Sequence, residues 1–106
     1  MIARLAYWDC KEEFWGRDAE LFESGAVPIM RSYEGFVEAK LLGKAGETGR
    51  IALTIWADGE AYNRFASSAD LPRITEMFAE MYSKGGKPAP QEFEVRAQGF
   101  PEPNRE

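Results

Sequence analysis

Apolar and polar residues alternate with period two from residue 2 to residue 8. Ala3, Leu5 and Tyr7 fall on one side, and Ile2, Arg4, Ala6 and Trp8 on the other. That period predicts a β-strand. Asp9 then stands where a helix start wants a short acceptor, with Glu12 placed as in a capping box. Phe14, Leu21, Phe22, Ile29, Met30 and Tyr33 recur at roughly helical spacing. Gly25 and Pro28 interrupt them, which predicts a kink or two helical pieces. Gly35 sits where the end of that helix wants a left-handed residue.

Residues 36–42 alternate again, with Val37, Ala39 and Leu41 opposite Phe36, Glu38, Lys40 and Leu42. A glycine-rich loop over 43–49 joins this strand to a third over 50–57, so the two make a hairpin. On the third strand Ile51, Leu53 and Ile55 oppose Ala52, Thr54 and Trp56. Asp58 starts the next helical region, where Tyr62, Phe65 and Ala69 share a face. A further helix begins with Asp70 as cap and Pro72 in its first turn. Its stripe is Ile74, Met77, Phe78, Met81 and Tyr82, and Lys84 to Pro88 end it. The last strand, 92–98, sets Phe93, Val95 and Ala97 against Glu92, Glu94 and Arg96. From Gly99 the chain is polar and Pro-rich, with Phe100 as a candidate anchor.

The order is β-α-β-β-α-β, the ferredoxin-like α+β arrangement. It implies a four-stranded antiparallel sheet with both helices on one face. Residues 1–98 form one domain and 99–106 a polar tail. The alternation then sorts the sheet into two faces. Leu5, Tyr7, Val37, Ala39, Leu41, Ile51, Leu53, Ile55, Phe93 and Val95 are expected to pack on the helices. Arg4, Trp8, Phe36, Glu38, Lys40, Thr54, Trp56, Glu94 and Arg96 are left on the other face. Aromatics among charges are an unusual surface to leave in water. Two such faces packed across a two-fold axis would cover the aromatics, which predicts a homodimer enclosing a partly polar cavity.

Composition narrows the partners. The 106 residues carry 13 Lys and Arg against 18 Asp and Glu, a net charge of −5. An acidic chain repels phosphate backbones and anionic membrane surfaces, so neither nucleic acid nor membrane is an expected partner. An RNA-recognition module shares the topology, but residues 50–56 lack its glycine- and aromatic-rich third-strand run. There is one cysteine, Cys10, and no histidine. The commonest metal ligand and general base is therefore missing, and a reducing cytoplasm is the expected location. Cys10, near a helix start, is either a reactive thiol or a structural residue at the junction.

Three stretches resemble the antibiotic-biosynthesis-monooxygenase-like domains of the dimeric α/β-barrel superfamily, over residues 1 to about 98. They are Met1-Ile-Ala-Arg4 opening the first strand, Tyr33-Glu-Gly-Phe36 closing the first helix, and Leu53-Thr-Ile-Trp56 leading into the second helical region. The resemblance implies a dimeric α/β barrel and a cofactor-independent monooxygenase, an oxidoreductase acting on a small aromatic or quinone-like molecule between the sheet and its dimer mate. Trp56 matches the family's third-strand Trp, and Tyr62 a tyrosine six positions after it. The monooxygenase branch has an asparagine four positions before the Trp, where this chain has Ala52. The haem-degrading branch needs a histidine that this chain lacks.

Trp56 and Tyr62 are thus candidate catalytic residues that position a ring and bind its oxygen. Arg4 joins them as a group able to hold an anionic oxygen. Trp8, Phe36, Glu38, Phe65 and Arg96 are candidate substrate-binding residues. Each has a plainer role available: interface packing for the aromatics, cross-strand pairing for the charges. No cofactor and no metal are expected. The alternative reading is a non-catalytic dimeric binding protein for a hydrophobic metabolite.

Overall fold

The computed structural model describes residues 1–83 and 89–102. Its centre is a four-stranded sheet in the order β2-β3-β1-β4. The strands are β1 (Ile2–Asp9), β2 (Phe36–Gly43), β3 (Gly49–Trp56) and β4 (Gln91–Glu94), all paired antiparallel. The helical segments are α1 (Arg17–Leu21), α2 (Val27–Met30), α3 (Gly59–Ala66) and α4 (Asp70–Met77). This is the ferredoxin-like α+β order that the alternation predicts. No helix of the described residues is long and apolar enough to cross a membrane.

The interruption at Gly25 and Pro28 takes a specific form. A π-helical turn, Phe22–Ala26, joins α1 to α2, with Pro28 in the first turn of α2. Proline has no N–H to donate, and a widened turn just before it accommodates the lost bond. Asp58 caps α3, its Oδ1 accepting from the Ala61 amide at 2.8 Å. The other two expected caps differ. Asp9 ends β1, and its Oδ1 accepts from Thr48 Oγ1 at 3.3 Å instead of capping. Asp70 is the first residue of α4; its Oδ2 accepts the Tyr33 hydroxyl at 2.6 Å and so ties α4 to the turn after α2.

The sheet faces are reversed from the expectation. Trp8, Phe36, Ala52 and Trp56 pack into the core with Phe22, Met30, Phe65 and Phe78 from the helices. The face with Leu5, Leu53 and Phe93 is the one the helices leave uncovered, and Phe93 is 52% exposed. On β2 a bulge between Phe36 and Glu38 shifts the register. Phe36 pairs with Trp56, whereas Glu38 pairs with Ile55 and Lys40 with Leu53 on the outer face. One extra residue therefore turns Phe36, Ala39 and Leu41 to the same side, which strict alternation forbids. β4 is also shorter than expected and stops at Glu94, so Arg96 lies beyond the sheet. Phe100 is 81% exposed and anchors nothing. The expected helix-ending run Lys84 to Pro88 lies outside the described residues.

Two positions hold this frame. Gly35 has φ +92°, and a Cβ there would sit 2.5 Å from the Ala61 Cβ on α3. Its carbonyl accepts from the Ala57 amide at 2.7 Å. The turn thus needs both a left-handed residue and no side chain. At the far end of the sheet, Arg50 Nε donates to Asp18 Oδ2 at 2.6 Å, with side chains only 1% and 4% exposed. Arg50 Nη1 also donates to the carbonyls of Glu47 and Gly49, and Trp15 covers the guanidinium with its ring centroid 4.7 Å from Cζ. The pair clamps α1 to the hairpin. Cys10 is fully buried in the core nearby. Burial and the Asp18 carboxylate push its thiol pKa up, against the pull of Arg50, so the neutral, structural role fits it.

Gly35→Ala is expected to destabilise by about 1–3 kcal/mol through overpacking, with left-handed strain in addition; urea unfolding checks this, and a neutral effect would remove the close approach as a constraint. Asp18→Ala leaves a buried arginine unpaired and is expected to lose about 3–5 kcal/mol. Asp18→Leu combined with Arg50→Met should be less destabilised than Asp18→Ala in the same assay. A double variant as unstable as the single one would show that packing, not the charge, sets the loss.

Candidate functional site

β1 and β3 pair so that Ala6 faces Ala52, flanked by Arg4 with Thr54 on one side and Trp8 with Arg50 on the other. Large side chains at both ends prop the helices away from the sheet. Trp56 stacks on Phe65 with ring centroids 5.3 Å apart. Trp8 meets Phe78 and Tyr82 edge-on at 5.5 and 5.2 Å. Between these props the two alanines cannot reach the helices. A cavity of about 510 Å³ results, floored by Ala6 and Ala52 and roofed by Phe22, Met30, Phe65 and Ile74. Ala6 is exposed although it lies within β1, as a residue on the floor of an open cavity would be. The cavity lies inside one protomer, between sheet and helices. The expected position, between the sheet and a dimer mate, is thereby corrected: the aromatic face is covered by the chain's own helices.

Arg4 and Tyr62 meet at one end of this cavity. The Arg4 Cζ lies 4.4 Å from the Tyr62 ring centroid, and both residues line the wall. Arg4 Nη1 is 3.6 Å from Glu92 Oε1 on β4. Arg4 Nε is buried and has no hydrogen-bond partner among the described residues. At the other end Tyr82 is held beside Trp8 because the chain after α4 is stitched to the end of β1. The Lys11 amide donates to the Met81 carbonyl at 2.8 Å and the Ser83 amide to the Asp9 carbonyl at 2.9 Å. Burial pushes the Tyr82 phenol up, partly offset by a hydrogen bond with Thr75. It therefore stays protonated across the neutral range, a neutral polar group at the end remote from Arg4.

Of the sequence-predicted residues, the structure gathers Arg4, Trp8, Tyr62 and Phe65 around one cavity. Trp56 is fully buried behind Phe65 and Tyr62, is not part of the cavity wall, and donates its indole N–H to Thr54 Oγ1 at 3.0 Å. Phe36 lies edge-on to Trp56 at 5.3 Å, also away from the wall. Glu38 pairs with Lys40 at 3.7 Å on the outer face. Arg96 is exposed beyond β4 and does not reach the cavity. Sequence reasoning missed Tyr82, Met30 and the alanine floor. The alanines had a signal, since hairpin register sets Ala52 beside its strand neighbours, but small residues announce a hollow only once their partners are known.

No family model matches the chain, and no curated protein matches it. Solved structures do. A monooxygenase from the gene ActVA-Orf6 of Streptomyces coelicolor, in complex with nanaomycin D, superposes with a TM-score of 0.75 at 16% identity, covering 95% of this chain and 92% of that one. SnoaB, a cofactor-independent oxygenase from Streptomyces nogalater, gives 0.68 at 15% identity over 95% and 97% of the two chains. A protein proposed to be an antibiotic biosynthesis monooxygenase, from Deinococcus radiodurans, gives 0.71 at 8% identity over 94% and 97%. A Nitrosomonas europaea protein of unknown function matches as well. The resemblance to antibiotic-biosynthesis-monooxygenase-like domains thus holds at the level of the fold: this chain has the α+β fold of those monooxygenases over nearly its whole length.

Proposed function

We propose that this chain is a homodimeric, cofactor-independent oxygenase acting on a small aromatic, quinol-like molecule held between the inner face of the sheet and the helices. The observation that carries this reading is the pairing of Arg4 with Tyr62 at one end of an otherwise largely apolar cavity. An electron-rich ring that has lost a proton can itself reduce oxygen. A ring methylene would then become a carbonyl, with one oxygen atom incorporated and the other leaving as water. Such chemistry asks the protein to hold the anion, orient the ring and exclude bulk water. Arg4 stabilises the anionic oxygen and Tyr62 hydrogen-bonds it. Trp56, for which the resemblance implies a catalytic role, acts here as a positioning residue, packed against Tyr62 with ring centroids 5.8 Å apart. A neighbour of the same fold holding nanaomycin D supports a ligand of this general kind.

The dimer in this reading forms through the outer face of the sheet, not the aromatic one. That face offers Leu5, Leu53 and Phe93, an apolar surface the helices leave uncovered. A second copy of the same face is its self-complementary partner.

One observation favours a second reading. Ala52 places a methyl group on the cavity floor where the monooxygenase branch has an amide side chain. A cavity that binds without reacting would look the same. Oxygen uptake with anthrone and with hydroxynaphthalenes, alongside binding by tryptophan fluorescence, separates the two. The oxygenase reading expects uptake that Tyr62→Phe lowers by about 10–100-fold and Arg4→Gln by about 100–1,000-fold. Binding with no uptake across the panel would leave the binding protein. For the dimer, light scattering is expected to give twice the chain mass, and Leu53→Lys the monomer mass. A monomeric wild type would sink the dimer claim.

A further inference from the structure

We propose that the cavity selects an organic anion: a flat aromatic acid lying face-down on Ala6 and Ala52, with an ionised oxygen on the Nε–H of Arg4. The inference rests on reading the cavity as a small-molecule site, but not on oxygen chemistry. Among the described residues lining the cavity, Arg4 alone carries a formal charge. Its guanidinium offers only donors and no acceptor, and its Nε is buried with no hydrogen-bond partner among the described residues. A buried charged donor left unmatched is unfavourable, and a ligand oxygen of opposite charge removes that penalty. Glu92 does not already do so. It approaches Nη1, not Nε, at 3.6 Å, and its own side chain is 48% exposed.

Beside Arg4 stands Tyr62, at the same end of the cavity; polar groups elsewhere on the wall are engaged. Thr54 Oγ1 accepts the Trp56 indole, and Tyr82 is hydrogen-bonded with Thr75. The strong free anchor therefore stands at one end. The shape of the ligand follows from the strand register. Arg4 and Trp8 are four residues apart on β1, which is about 13 Å at ~3.3 Å per residue, with Ala6 midway. The floor between them carries only methyl groups, so a ring system can lie flat on it. That length suits two or three fused rings with an acidic group at the Arg4 end and the ring edge against Trp8. The substitution of Ala52 for the family's amide fits the same picture. Polar recognition is removed from the middle of the floor and concentrated at its end.

Matched ligands test this without any need for turnover. Titration calorimetry in anaerobic buffer at neutral pH compares 2-naphthoate with 2-naphthamide, which share the ring and differ in charge. Wild type is expected to favour the acid by about 10–100-fold, the size of one hydrogen bond to a charged group. Arg4→Gln should bring the two within about three-fold, leaving the amide's affinity nearly unchanged. Ala52→Leu, which fills the floor, should weaken both by more than about ten-fold without lowering the melting temperature. If Arg4→Gln fails to fold, the salt dependence in wild type decides instead: added NaCl should weaken the acid and spare the amide. Equal affinities in wild type, or a preference that survives Arg4→Gln, would overturn the anion proposal while leaving the cavity reading intact. Binding of both ligands that Ala52→Leu leaves unchanged, or binding of neither, would overturn both.

Discussion

Two aromatic props set the distance between sheet and helices, and the rest of the structure follows from that spacing. Trp56 on Phe65 holds one end, and Trp8 on Phe78 and Tyr82 the other. Interiors pack densely, so a pair of alanines between two tryptophan-sized supports either draws the layers together or leaves a hollow. Here the layers cannot close, because each prop is itself fixed. Trp56 is fully buried, with its indole N–H committed to Thr54, and Trp8 is pinned by the hydrogen bonds joining β1 to the segment after α4. The cavity is the geometric remainder of two rigid contacts.

The same logic explains where polar groups are tolerated inside. At the hairpin end, Arg50 is held by Asp18 at 2.6 Å, by two backbone carbonyls and by the ring of Trp15, and its Nη2 is left without a partner among the described residues. At the cavity end, Arg4 is only loosely met by Glu92 and keeps an unmatched donor. Two arginines on neighbouring strands, both turned to the helix side, thus each keep one unmatched nitrogen but differ in how tightly a carboxylate holds them. A buried ion held in a short, buried ion pair is structural, whereas one met only by a half-exposed carboxylate beside a hollow is available to a ligand.

Much of the fold was legible in the chain because it depends on local signals. The order of strands and helices, the Asp58 cap and the left-handed Gly35 each follow from a few neighbouring residues. The assignment of sheet faces did not follow. Alternation shows that a strand has two sides but not which one the helices cover. The more apolar side, with Leu5, Leu53 and Ile55, looks like a core in sequence, yet it is the aromatic side that meets the helices. The bulge after Phe36 hid the answer further, because it joins residues of opposite parity on one face. The Asp18–Arg50 clamp was invisible for another reason: the partners lie 32 positions apart and no periodic pattern links them.

The candidate site was legible only in part, and the division is instructive. Tyr62 and Trp56 were found as a pair, through spacing along the chain, and the structure keeps them in contact at 5.8 Å while giving only Tyr62 access to the cavity. A sequence motif records that two side chains belong together; it does not record which of them faces the ligand and which stands behind it. Arg4 was found through its charge on a strand otherwise rich in apolar residues. Its significance comes from what surrounds it: a tyrosine face, a half-exposed glutamate and a floor of two methyl groups. The character of this cavity is therefore set less by which polar residues are present than by how few polar neighbours they are given.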